Sequence, residues 1–191
     1  VGLPGETWES LRHSLDRLWH LHPHEIQIGI LKNLKGTPIS RHAQEWSMVF
    51  GELPPYEILS HKNFDFATLQ RLKRMAKYFE IYSNSGRFEL GLNLLVEEFE
   101  GSAFDGFMAF SDWLWYEKRT DHGISLQHQL QYVHEYLCGE RAVAPERVLD
   151  ALVSDFLNPQ LNRQNSMKSL PQFMSVAVHR RVKERQLLAT P

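Results

Sequence analysis

The sequence contains a single cysteine, Cys138, in 191 residues. One thiol excludes an internal disulfide, and it is too few for a Cys-rich zinc site or for the thiolates that hold an iron–sulfur cluster. There is also no apolar run near the roughly 18 residues that a membrane-spanning helix needs. We therefore expect a soluble globular protein with no membrane partner, and the absence of disulfides suits a reducing cytoplasm.

Common catalytic signatures are absent as well. The sequence has no nucleophile elbow, no glycine-rich phosphate loop, no zinc signature and no Ser/His/Asp grouping. The formal net charge of −2 argues against a general nucleic-acid binder. From residue 159 onward, however, six Lys or Arg residues stand against one Glu. We interpret this basic segment as a solvated helix face or a docking surface for another domain.

The first residues have the composition of a turn. The chain opens with Val-Gly-Leu-Pro-Gly-Glu-Thr rather than with Met, and we interpret it as a fragment of a longer protein. Two glycines around a proline favour a tight connection between a strand and a helix. Apolar spacing then predicts a helix over residues 6–21, and alternation predicts a strand over 25–31. Turn, helix and strand are most of a βαβ unit, which belongs to a parallel sheet or barrel.

From residue 40 onward the pattern is mainly helical. We expect a short helix over 40–49 and an extended stretch over 51–59, where Pro54-Pro55 forbids a helix. Asp65 fits the N-cap of a helix that runs to residue 82, and Gly86 fits its end. Further helical patterns cover 87–100, 103–119, 125–138, 145–157 and 170–188. The predicted fold class is mainly α, with a short α/β remnant over 1–40, an extended connection over 41–64 and an all-helical bundle over 65–191.

Histidines form two groups with possible chemistry. His-Leu-His-Pro-His at residues 20–24 places three imidazoles at alternate positions. Metal binding is one interpretation, but the spacing fits no standard metal site, and a histidine is also favourable at a helix end, which we prefer. His122, His128 and His134 suit acid–base chemistry, yet spacings of six do not align them on one helix face. We interpret these three as surface or core-edge residues.

Two further patterns each allow a chemical and a structural interpretation. An aromatic run at helical spacing favours a buried core over a cofactor box. Tyr-Ser-Asn-Ser-Gly-Arg-Phe at residues 82–88 brings a guanidinium near backbone amides, which can grip an anion. Helix capping with one salt bridge is the alternative, and we favour it. The members of the aromatic run are Phe104, Phe107, Phe110, Trp113, Leu114 and Tyr116.

Two short motifs resemble the late part of a radical S-adenosylmethionine barrel. Gly-Leu-Pro-Gly-Glu-Thr at residues 2–7 is similar to the turn after the fifth barrel strand, and Gly-Thr-Pro at 36–38 is similar to the stretch after the sixth. Together with residues 24–32, 54–59 and 84–88, they resemble the bacterial subgroup that carries an N-terminal cobalamin-binding domain and a helical C-terminal domain.

The resemblance implies cofactors, partners and site residues. The parent protein is expected to use a four-iron, four-sulfur cluster bound by Cys-x3-Cys-x2-Cys, together with S-adenosylmethionine and cobalamin, and no cofactor is expected in this fragment alone. The expected partners are the N-terminal cobalamin and radical S-adenosylmethionine domains of the same parent chain and an unknown substrate. Tyr56, Asn84 and Arg87 become candidates for substrate or interdomain contacts. The candidates near a cofactor at the barrel mouth are Gly2, Leu3, Pro4, Gly5, Leu31, Gly36 and Thr37.

The leading hypothesis is a non-catalytic C-terminal fragment of a cobalamin-dependent radical S-adenosylmethionine oxidoreductase or methyltransferase. Such a fragment would contribute barrel-mouth loops and a helical cap over the substrate. The alternative is a free-standing helical interaction module that docks a protein or nucleic-acid partner. The coding sequence upstream of Val1 distinguishes the two hypotheses, because the first requires the cluster motif there.

Overall fold

The computed structural model describes residues 1–158 and 170–188, with side chains described up to residue 184. In this part of the chain the fold is mainly helical, with one small antiparallel sheet. A 3-10 turn covers Pro38–His42, and a π turn covers Tyr136–Glu140. The strands are β1 Val49–Phe50 and β2 Ile58–Ser60, and the helices are α1 Trp8–His20, α2 Phe66–Tyr82, α3 Glu89–Glu97, α4 Ala103–Lys118, α5 Leu126–Glu135, α6 Pro145–Phe156 and α7 Gln172–Leu188.

The first helix confirms the prediction for residues 6–21. Thr7 is its N-cap, and the Thr7 hydroxyl accepts a hydrogen bond from the Ser10 N–H at 3.1 Å. The Ser10 hydroxyl in turn accepts from the Thr7 N–H at 2.9 Å. Two backbone donors of the first turn are thereby satisfied, in the reciprocal arrangement called a capping box.

One face of α1 packs into the core of the helical bundle. Leu15 is buried on this face. The Trp8 ring meets Phe104 edge-to-face at 4.9 Å, and the Trp19 ring meets Phe107 at 5.8 Å. Aromatic pairs of this geometry add to the apolar area that they bury. The α/β part of the chain and the bundle therefore share one hydrophobic core.

Val1 pairs with the segment that follows α1. The Val1 amino group donates to the Gly29 carbonyl at 2.6 Å, and the Val1 carbonyl accepts from the Leu31 N–H at 2.9 Å. Val1 therefore bonds to the two residues that flank Ile30. This is the hydrogen-bond pattern of a parallel pair, in which Val1 lies opposite Ile30. The helix α1 connects the two paired segments, which is the βαβ arrangement that the sequence predicts.

The prediction of a continuous strand over 25–31 is wrong. Apart from the pair with Val1, the backbone-to-backbone hydrogen bonds that the structure describes for this segment lie at its end. There the Ile58 N–H donates to the Leu31 carbonyl at 2.9 Å, and Lys32 forms an antiparallel bridge with Glu57. A ladder needs a neighbouring strand along its length. The alternating pattern therefore gives an extended segment that is held at separate points.

Residues 38–64 form turns and a short hairpin. The helix predicted over 40–49 is wrong beyond the 3-10 turn, because Ser47 has a φ of 49° and the chain reverses there into β1. The extended stretch predicted over 51–59 is confirmed only at β2, which pairs antiparallel with β1. Before β2, a turn is closed by a hydrogen bond from the Tyr56 N–H to the Leu53 carbonyl at 3.0 Å.

The later helices agree with the predictions. Asp65 is the N-cap of α2, and its carboxylate accepts from the Thr68 N–H at 2.7 Å. Ser102 and Ser125 cap α4 and α5 in the same way. Each of the helices α3 to α7 lies within the range predicted for it. The predicted class, a mainly helical fold with a short α/β part, is therefore confirmed.

The helix α4 lies at the centre of the bundle and contacts α1, α2 and α3, while α6 contacts α3, α5 and α7. Four members of the aromatic run on α4 are buried, which confirms the core interpretation for them: Phe104, Phe107, Phe110 and Leu114. The interpretation is wrong for Tyr116, which is 71% exposed and lies against the Arg119 guanidinium at 5.6 Å. Trp113 is half-buried.

Part of the basic C-terminal segment docks within the chain. The Arg181 guanidinium on α7 donates to the Asp150 carboxylate at 2.9 Å and to the Ser154 hydroxyl at 2.8 Å, both on α6. Arg163 and Lys168, together with the side chain of Arg185, lie outside the described residues. No described helix combines the length and apolar character that crossing a membrane requires.

Candidate functional site

The turn of residues 2–5 depends on two glycines in the left-handed region. Gly2 has a φ of 93° and Gly5 a φ of 78°. A Cβ on Gly2 would lie 2.5 Å from Cγ2 of Ile58, so the backbone approaches β2 too closely for any side chain. The Gly2 N–H donates to the Glu6 carboxylate at 2.6 Å. The turn is thus fixed both by packing and by a charge-assisted hydrogen bond.

The other turn residues differ in exposure. Leu3 is 52% exposed at the tip, and its carbonyl accepts from the Glu6 N–H at 3.1 Å. Pro4 is half-buried, and Gly5 lies against the Trp46 ring, where a Cβ would be 3.3 Å from a ring carbon. The turn offers apolar contacts and backbone groups to a neighbouring molecule, and its nearest ionisable side chain is that of Glu6.

The predicted mouth residues fall into two places. Leu31 lies beside the turn, since its Cβ would be 3.6 Å from a Cβ on Gly2. Gly36 and Thr37 belong to a separate turn, in which both the N–H and the hydroxyl of Thr37 donate to the Leu34 carbonyl, at 3.1 and 2.7 Å. A methyl group on Gly36 would meet no neighbour within 4 Å. The structure therefore brings Gly2 and Leu31 together and leaves Gly36 in open space.

A buried histidine near this turn escaped the sequence analysis. His61 is 5% exposed, its Nδ1 accepts from the Asn63 N–H at 3.3 Å, and its Nε2 has no hydrogen-bond partner among the described residues. Burial lowers the pKa of His61, and the charge of Glu6 opposes that shift. Asn63 also donates to the Glu6 carbonyl at 2.9 Å. Residues 6 and 61 are far apart in the sequence and come near each other only through the fold, so no sequence spacing could reveal this pair.

Asn84 connects the extended segment to the bundle. Its side-chain oxygen accepts from the Ile26 N–H at 3.1 Å, and its side-chain nitrogen donates to the Ile26 carbonyl at 3.0 Å. The same nitrogen donates to the Glu80 carboxylate at 2.6 Å. A side-chain amide thus satisfies both backbone groups of Ile26, in the way that an adjacent strand would.

Tyr56 and Arg87 lie apart from Asn84. Tyr56 has a φ of 58°, is 37% exposed and accepts at its carbonyl from the Asn33 N–H at 2.9 Å. Arg87 is half-buried, and its N–H donates to the Ser85 hydroxyl at 3.3 Å. The contacts predicted for these residues with a substrate or another domain stay predictions.

A cavity of about 330 Å³ lies between the end of α1 and the turn that joins α2 to α3. Asn84 lines it, as do His22 and His24 of the histidine segment. His20 does not line the cavity, and its Nδ1 forms a hydrogen bond with the Asp16 carbonyl at 2.7 Å. In the described part of the chain, no group of three or more His, Cys, Asp or Glu side chains is arranged to hold a metal ion.

The residues described do not fit an iron–sulfur cluster. Cluster ligation needs several thiolates, and Cys138 stands alone in the π turn at Tyr136–Glu140. Burial raises the pKa of the Cys138 thiol, which disfavours the thiolate form further.

Comparison with known proteins identifies a family for this chain. Residues 44–188 match the model of a family described as "Protein of unknown function (DUF4080)". No curated protein and no solved structure matches the chain. The matched range contains the β1–β2 hairpin and the helices α2 to α7, and it leaves out α1 and the turn of residues 2–5. Because the match covers well over half of the chain, the protein belongs to the DUF4080 family.

Proposed function

We propose that this chain is the C-terminal part of a cobalamin-dependent radical S-adenosylmethionine enzyme of the cytoplasm, which performs methyl transfer or another radical alteration of its substrate. In this proposal the turn of residues 2–5 and the loop after Leu31 form part of the wall of the barrel mouth. The bundle of α2 to α7 forms a cap beside it. The chain itself supplies no cluster ligands, so catalysis depends on the other domains of the parent.

The parallel pairing of Val1 with Ile30 carries the proposal. A parallel pair connected by a helix is the repeating unit of a βα barrel. The hydrogen bonds of Val1 to Gly29 and Leu31 have this pattern, and α1 is the connecting helix. The loops at the carboxyl ends of the two segments begin at Gly2 and Leu31, which lie in contact. Barrel enzymes place their active sites at this end of the strands.

Three further observations support the same proposal. The glycines of the turn take the left-handed conformations that a strand-to-helix turn of this kind needs. The hairpin of β1 and β2 lies next to the turn of residues 2–5 and pairs with the extended region just after Leu31, through the bridge of Lys32 to Glu57. The family match begins at residue 44 and so covers the proposed cap rather than the barrel segment.

The coding sequence upstream of Val1 provides the first test. The proposal requires a Cys-x3-Cys-x2-Cys motif there, and its absence would leave the interaction module as the better hypothesis. The second test uses the parent protein, purified and reconstituted without oxygen. We expect cluster absorbance in the visible range and cleavage of S-adenosylmethionine to 5′-deoxyadenosine. The 191-residue chain treated in the same way should show neither, and a cluster spectrum from it would contradict the proposal.

A matched pair of glycine variants in the parent protein tests the position of the turn. Gly2→Ala forces a methyl group to within 2.5 Å of Ile58 at a φ of 93°, so we expect the turn to move and cleavage of S-adenosylmethionine to fall at least about tenfold. Gly123→Ala carries a similar backbone strain, with a φ of 65°, but meets no neighbour within 4 Å. Equal effects of the two substitutions would show that strain alone, rather than the turn's position, affects the reaction.

A further inference from the structure

Two sequence motifs that are far apart in the chain meet at the cavity of about 330 Å³. From the histidine segment of residues 20–24 come His22 and His24, and from the turn of residues 82–88 come Ser83, Asn84 and Gly86. Neither motif is explained by the proposed barrel mouth. A volume of this size is at the lower end of the range for small-molecule sites in proteins, so it suits one compact organic molecule.

The cavity lies at the opposite end of the extended segment from the proposed mouth. Ile26 lines the cavity, whereas Leu31 lies beside the turn of residues 2–5. Five residues of extended chain separate them by about 17 Å. A ligand in the cavity would therefore be remote from the mouth, and the following inference does not rest on the proposed function.

The cavity has an apolar wall and a polar rim. The wall consists of Trp19, Ile26 and Leu92, and Trp19 is held in place by edge-to-face contacts with Phe79 at 6.2 Å and Phe107 at 5.8 Å. Such a wall suits a hydrocarbon or aromatic body, and the face of an indole also attracts a cation. Ordered aromatic walls with few polar groups are typical of small-molecule sites.

Several of the backbone donors that an anion would need are already used within the chain. The Gly86 N–H donates to the Ser83 carbonyl at 2.9 Å, and the Arg87 N–H donates to the Ser85 hydroxyl. At the start of α3, Asp155 accepts from the N–H groups of Leu90 and Gly91. The N–H groups of Gly86, Arg87, Leu90 and Gly91 are therefore not free to bind an anion at the start of α3.

The charge around the cavity is negative instead. Glu89 is the charged side chain among the lining residues, counting histidine as neutral, and its carboxylate has no ion-pair partner among the described residues. Glu80 lies close by, since its carboxylate accepts from the Asn84 amide at 2.6 Å. Asn93 adds a side-chain amide to the lining. An unpaired carboxylate beside an aromatic wall is the combination that recognises an organic ammonium group.

We propose that this cavity binds a small organic amine in its cationic form, with its ammonium group on Glu89 and its apolar body against Trp19 and Leu92. The site does not include the turn of residues 2–5 or Leu31. Asn84 acts as a wall residue here, because its oxygen and nitrogen are bonded to Ile26 and Glu80.

Three probes of similar size and different charge test the proposal by calorimetric titration of the full chain. We expect benzylamine to bind with a dissociation constant of about 1 mM or lower, benzyl alcohol more weakly, and benzoate not measurably. Glu89→Gln should weaken benzylamine at least about fivefold and leave benzyl alcohol unchanged, because only the amine uses the charge. Asn93→Tyr should abolish binding of both benzylamine and benzyl alcohol by filling the cavity.

Glu9→Gln is the matched control. Glu9 is also an exposed glutamate in the first turn of a helix, but it does not line the cavity. It should leave the titrations unchanged, and the thermal midpoints should verify that each variant is folded. Benzoate binding as well as benzylamine would overturn the proposal. So would benzylamine binding that Glu89→Gln does not weaken, or the absence of saturable benzylamine binding.

Discussion

Asp155 connects two helices, and its burial disfavours the ionised form of its carboxylate. Its carboxylate on α6 is 2% exposed and accepts from the N–H groups of Leu90 at 3.0 Å and Gly91 at 2.9 Å, at the start of α3. Burial raises the pKa of Asp155 to about 6, the charge of Glu89 adds to the increase, and the two N–H bonds oppose it. Desolvation therefore outweighs the hydrogen bonds that favour the ionised form.

The raised pKa predicts a pH-dependent stability. Between the ordinary value of 3.8 and about 6, folded Asp155 keeps a proton that the unfolded chain releases. The contribution of protonated Asp155 to the free energy of unfolding is therefore complete below about pH 4 and is lost as the pH rises through 6. The free energy of unfolding falls by about 3 kcal/mol over this range. Asp155→Asn removes this titration. Urea unfolding from pH 4 to pH 7 should show the wild-type stability falling relative to that of the variant.

The outcome that contradicts this prediction is a constant difference between the wild type and Asp155→Asn across the same pH range. Asp150→Asn is a suitable control, because Asp150 also lies on α6 but its side chain is 67% exposed in its pair with Arg181. Exposed ion pairs contribute little to stability. We expect no relative change with pH for this control beyond about 0.5 kcal/mol.

At the scale of elements, the helices of this chain were predictable and the extended segments were not. Local signals mark the helix ends: the hydroxyl of Thr7, the carboxylate of Asp65 and the hydroxyls of Ser102 and Ser125 all accept N–H bonds in the first turns of their helices. The partners of residues 25–33 lie instead at residues 1, 57 and 84. Alternation of side chains cannot specify partners at such separations.

Asn84 is predicted to stabilise the extended segment through its hydrogen bonds to Ile26. Asn84→Ala leaves the N–H and carbonyl of Ile26 without their side-chain partner, so we expect a loss of about 1–2 kcal/mol in the free energy of unfolding. Hydrogen exchange should increase mainly around residue 26, because the segment is held at few points. Asn93→Ala is the control and should change neither quantity much. Unchanged exchange at Ile26 in the Asn84 variant would show that the segment is fixed by its side-chain packing instead.

At the scale of the whole molecule, the structure shows which of the predicted site residues lie together, while their roles stay predictions. The sequence indicated the turn of residues 2–5 and Leu31, and the structure brings Gly2 and Leu31 into contact. It did not indicate His61, which reaches the neighbourhood of Glu6 only through the fold of the β1–β2 hairpin. Nor did it indicate that residues 20–24 and 82–88 share a cavity. Motifs identify single segments, whereas a site depends on how the segments pack.

The shared core predicts that α1 and the bundle unfold together. Asp16 on α1 accepts at its carboxylate from the Ser102 hydroxyl and from the Phe104 N–H, both at 2.9 Å, at the start of α4. Asp16→Ala should lower the free energy of unfolding by about 1–2 kcal/mol and preserve a single transition. Tryptophan fluorescence and far-ultraviolet circular dichroism should report the same midpoint in urea. Two separate transitions would contradict a common core.

The position of α1 also has a dynamic consequence. Only Glu6 and Thr7 separate its first residue, Trp8, from the turn of residues 2–5. Trp19, near the other end of the helix and about 17 Å away along its axis, lines the cavity. The helix is a stiff rod anchored by Trp8 and Trp19 in one core. If a ligand displaces Trp19 far enough to tilt α1 and shift the turn, thermodynamic linkage requires that a molecule bound at the turn change the affinity of the cavity by the same factor.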